Sequence, residues 1–91
     1  MNADKLLDFV ADQAETWKPS VRRVIPVTDH LTAVVDAVDS KDKDQMKHHA
    51  VMAVDLMEMD TVFSGAIPEP VESQSAVARL SRAVDGPAGA V

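Results

Sequence analysis

From Asp42 to Phe63 the chain contains neither glycine nor proline, and its apolar side chains recur at helical spacing. Met46, Ala50, Ala53, Met57 and Thr61 fall on one stripe, widened by His49, Val54 and Leu56. That periodicity predicts an amphipathic helix with one buried face. Asp42, with Gln45 three residues on, supplies a capping box with Asp in the cap position. Ser64-Gly65 stops the segment. As the longest regular stretch, residues 42–63 are expected to form the central helix, with Lys43, Lys47, Asp55 and Glu58 on its wet side.

The flanking segments read as shorter helices. Ala3 to Trp17 has Asn2 or Asp4 as cap and an apolar stripe of Leu7, Val10, Ala11, Ala14 and Trp17, widened by Leu6 and Phe9. Lys18-Pro19 ends it, because a residue before proline avoids the α region. Residues 20–27 suit either one or two helical turns or a short strand, and helix is preferred because no second strand exists to pair with it. Pro26 is expected to limit that stretch. Thr28 then caps a helix to Val38 with Leu31, Val34, Val35 and Val38 inward. After the extended connector Ile67-Pro68-Glu69-Pro70, a last helix is expected from Val71 or Glu72 to Val84, with Val77, Leu80, Ala83 and Val84 inward and Ala76 extending that face. The expected fold is all-α, a small bundle of four helices, or five if residues 20–27 stand alone. It forms a single domain over 1–86, followed by a tail at 87–91.

Composition narrows the function. Fourteen Val and 13 Ala against three aromatics give a core of small side chains. Such a core buries little area per residue, so self-association or a protein partner is the expected remedy. Fifteen Asp and Glu against nine Lys and Arg leave a net charge of −6, which disfavours nucleic-acid and anionic-membrane binding. No cysteine is present, which removes disulfides and thiol-based metal sites and fits a reducing compartment. No apolar run is long enough to span a membrane, and the opening residues Met-Asn-Ala-Asp-Lys lack the basic-then-apolar order expected of a signal peptide. A cytoplasmic location, or a virion if phage-encoded, is the expectation.

Catalytic chemistry finds little support. No nucleophile-elbow motif occurs, and Gly65, Gly86 and Gly89 are too few and too scattered for a phosphate loop. No cofactor is expected. The chain is therefore read as a non-enzymatic protein–protein interaction or assembly subunit, a phage accessory or virion structural protein being one specialisation. It would act by self-association or by docking on a larger partner. The Ala- and Met-rich stripe of Met46, Ala50, Ala53 and Met57 is one candidate interface. The acidic stripe of Asp4, Asp8, Asp12 and Glu15 is the other, and it suggests a second reading as an inhibitor covering a basic surface. A third reading is metal binding by His48 or His49 with Asp44 or Asp55, since Asp44, His48 and Asp55 share one helical face.

Overall fold

The computed structural model describes residues 2–85. The tail expected at 87–91 lies outside the described residues. Four α-helices and one short 3-10 turn make up the fold: α1 Ala3–Thr16, α2 Val24–Ser40, α3 Lys43–Phe63, the turn Glu72–Gln74, and α4 Ala76–Asp85. No strand occurs among the described residues. The chain is an all-α bundle with α3 as its centre, since α1, α2 and α4 all pack on it. The Cα envelope measures 36 × 30 × 16 Å. Its short dimension is that of two helices at the usual axial separation of about 9 Å, so the bundle is two helices deep. No described helix is long and apolar enough to cross a membrane.

Short links set the directions. Only Lys41 and Asp42 separate α2 from α3, so the two run antiparallel as a helical hairpin. The Asn2 N–H donates to Val84 O at 3.2 Å, placing the start of α1 beside the end of α4. Lys47 bonds Asp85 and Glu58 bonds the Ala76 N–H, so α4 also runs against α3.

The caps are those the side chains dictate. Asn2 Oδ1 accepts from the Lys5 N–H at 3.2 Å and Asp42 Oδ1 from the Gln45 N–H at 3.1 Å. The reciprocal arm of the Asp42 capping box does not form. The Asp42 N–H instead closes α2 by donating to Ala37 O at 2.9 Å, while the Lys41 N–H reaches Val38 O. This double closure places Lys41 in the left-handed region at φ 59°, where glycine is the usual occupant.

Two boundaries differ from expectation. Pro26 does not end a segment, and Thr28 caps nothing. α2 passes through both, and the Thr28 hydroxyl donates back to Val24 O at 2.6 Å. Pro26 sits in the first turn, where backbone N–H groups have no partner within the helix, so its missing N–H costs nothing there. The start comes from Ser20, whose Oγ accepts from the Arg23 N–H at 3.2 Å. At the other end, α4 begins at Ala76 instead of Val71 or Glu72. Ser75 is extended (ψ 157°), and its Oγ caps α4 through the Ala78 N–H at 3.1 Å.

The core is one cluster: Leu6, Val10, Val27, Val34, Ala37, Met46, Ala50, Ala53, Val54, Met57, Ala76, Leu80 and Val84. The α3 register is as expected. In α1 the stripe centres on Leu6 and Val10, and Ala11 is exposed; in α4, Ala83 is exposed.

Candidate functional site

Asp60 is the only carboxylate among the described residues that is buried. It follows Met57 by three residues on the inner face of α3, where a bare charge would be costly. Four donors answer it. Arg23 Nη1 and Ser20 Oγ each donate to Oδ1 at 2.7 Å, while Trp17 Nε1 at 2.7 Å and the Ser20 N–H at 3.3 Å donate to Oδ2. Burial pushes the Asp60 carboxyl up, but the bonds from Arg23, Ser20 and Trp17 outweigh it and bring it from 3.8 down to about 2. With its lone pairs engaged, this carboxylate is a structural node that ties the 17–23 connector to the end of α3.

The node sets the surface above it. The Arg23 guanidinium, held by Asp60, lies 4.9 Å from the ring centroid of Phe63. That cation–π contact steadies an aromatic ring that is 73% exposed. On one side of Phe63 is a cleft of about 430 Å³, lined by Met59, Val62, Phe63 and Pro70 with Asp55, Glu58, Glu69 and Ser75. On its other side a second hollow, about 400 Å³, carries Lys18, Arg22 and Arg23 on its walls. Phe63 is therefore an apolar ridge between an acidic cleft and a basic one.

Glu58, expected on the wet side of α3, is drawn into the structure. Its Oε2 accepts the Ala76 N–H at 2.8 Å and lies 3.7 Å from Arg79 Nη2, so it caps α4 from a neighbouring helix. Arg79 in turn sits 5.8 Å from the Phe9 ring centroid. Asp55 and Glu69 are the exposed acids of the cleft.

The expected site residues are distributed differently. Met46, Ala50, Ala53 and Met57 are at most 4% exposed. They are consumed inside this fold and offer no interface, because α1, α2 and α4 already cover that face of α3. Asp4, Asp8, Asp12 and Glu15 are all exposed along α1. Asp44, His48 and Asp55 do not gather into a metal site: His48 and Asp55 are two turns apart, about 10 Å along the helix. Among the described residues no three His, Asp or Glu side chains assemble to hold an ion.

The histidines meet one another instead. His30 Nδ1 and His49 Nδ1 are 3.0 Å apart across the α2–α3 seam, one donating and the other accepting. His48 lies edge-on to His49, with ring centroids at 5.0 Å. No protein-family model, no curated protein and no solved structure matches the chain.

Proposed function

We propose that this chain is a non-catalytic protein–protein interaction domain that docks on a larger partner through the Phe63 ridge and its acidic cleft. The observation that carries the reading is the exposed aromatic itself. A phenylalanine 73% open to solvent, yet fixed by a buried Asp60–Arg23 pair, is an anchor held in place before any partner arrives. Met59, Val62 and Pro70 give the cleft an apolar floor, while Asp55 and Glu69 select for positive charge. The fitting partner segment carries an apolar side chain next to a lysine or arginine. The net charge of −6 and the exposed acids of α1 favour encounter with such a basic surface.

The test is photo-crosslinking in the cells that express the protein, with a photoreactive residue at position 59 and, as control, at the exposed position 11 of α1. A partner caught from position 59, not from 11, and lost with Phe63→Ser supports the reading. Equal capture from both positions, or capture indifferent to Phe63→Ser, overturns it.

A further inference from the structure

We infer that His30 and His49 form a pH-sensitive clasp across the α2–α3 seam, closed while the two rings share a hydrogen bond and open once both are protonated. His30 lies on the inner side of α2, three residues after Val27 and four before Val34, both buried. His49 lies on the inner side of α3, three residues after Met46 and four before Ala53, which are buried too. The pair thus joins the two helices in the middle of their seam. Both rings are half-buried, so protons from solvent reach them.

The geometry limits how many protons the pair can hold. The two Nδ1 atoms are 3.0 Å apart, the length of an ordinary N–H···N bond. In the neutral pair one ring carries its proton on Nδ1 and donates, while the other carries it on Nε2 and accepts. A first added proton goes to the bare Nε2 of the donor ring and leaves the bond in place, now charge-assisted. A second has only the accepting Nδ1 lone pair to occupy. It turns both facing atoms into donors and sets two positive charges against each other, which only separation of the rings relieves.

The surroundings supply no counter-ion for that second charge. α3 is the only described element on which α2 packs, so the groups around the pair come from these two helices and their link. His48 stands edge-on to His49 with ring centroids at 5.0 Å, a third imidazole beside the pair. Asp36 and Asp42 share a surface hollow with His49, Asp44 and Lys47 share another with His48, and Asp29 precedes His30 in the chain. No carboxylate among the described residues is ion-paired with a histidine.

An ordinary imidazole takes up its proton near pH 6.5. Below that value the unfolded chain carries a proton on each ring, and the closed pair accepts only one. The unfolded state therefore binds more protons, and stability falls as pH falls. One proton of difference lowers the folding constant by up to about tenfold per pH unit. Asp60, whose carboxyl lies at about 2, stays ionised throughout this range.

Urea midpoints from pH 8 to pH 5 test the clasp. The wild type should lose stability below about pH 6.5, His48→Gln should lose it equally, and the double variant His30→Gln/His49→Gln should hold a flat midpoint. A flat wild-type profile, or an unchanged slope in the double variant, overturns the inference. Nitrogen NMR of the wild-type rings, read beside amide exchange corrected for its intrinsic pH dependence, needs no variant to fold. The second ring should gain its charge as the α2 amides open at least tenfold more often. Both rings fully charged with α2 exchange unchanged would overturn the clasp.

Discussion

Trp17 and Asp60, 43 residues apart, are joined by a 2.7 Å hydrogen bond from the indole N–H to the carboxylate. Through it the end of α1 is fastened to the end of α3, and the connector that leads into α2 is held with it by Ser20 and Arg23. Removing the carboxylate charge leaves a largely buried guanidinium without its counter-ion. Asp60→Asn should cost about 3 kcal/mol or more, read as a lower urea midpoint. The emission of Trp17, the chain's single tryptophan, should shift at the same time.

The same node sets the acid limit of the fold. The Asp60 carboxyl lies at about 2 in the folded chain against an ordinary 3.8 for an aspartate in the unfolded one. The unfolded state therefore takes up the proton first, and folding is favoured wherever this group is ionised. Its contribution should be complete above about pH 4 and lost as pH falls through about 2. Urea midpoints measured from pH 5 to pH 2 should trace that loss. Arg23→Gln, which takes away one of the groups that lower Asp60, should flatten the acid limb.

Lys41 closes α2 at φ 59°, a conformation that costs a side-chain-bearing residue roughly 1 kcal/mol and glycine nothing. Lys41→Gly should raise the melting temperature by a few degrees, because the turn's hydrogen bonds run through the backbone and survive the change.

Glu58 reaches across from α3 to the first N–H of α4. Glu58→Ala should cost about 1 kcal/mol, in the range of a lost helix cap. Amide exchange at Ala76 should quicken more than at Leu80, since the Ser75 cap on Ala78 persists.

The regular parts of this molecule could be read from its residues. The buried stripe Met46-Ala50-Ala53-Met57 and the caps at Asn2 and Asp42 are set by neighbours within one helix, and local spacing reports them. Pro26 misled because a proline in a first turn and one that breaks a helix look alike until the start of the helix is known. Asp60 and Glu58 were hidden for another reason. Their partners lie 18 to 43 residues away, and only the tertiary fold brings them near. A signal existed all the same. An aspartate three residues past Met57 on an apolar face needs a donor, and Trp17 carries an N–H that needs an acceptor. The Phe63 ridge left no trace in periodicity, since exposure at a helix end depends on what the next segment covers.

Because α2 rests on α3 alone, detaching it breaks one helix–helix interface, whereas α3 cannot move without losing three. That single seam is the most extensive in the bundle, so α2 is expected to open as one cooperative unit. Hydrogen exchange should resolve this as one shared opening free energy for amides from Val34 to Val38.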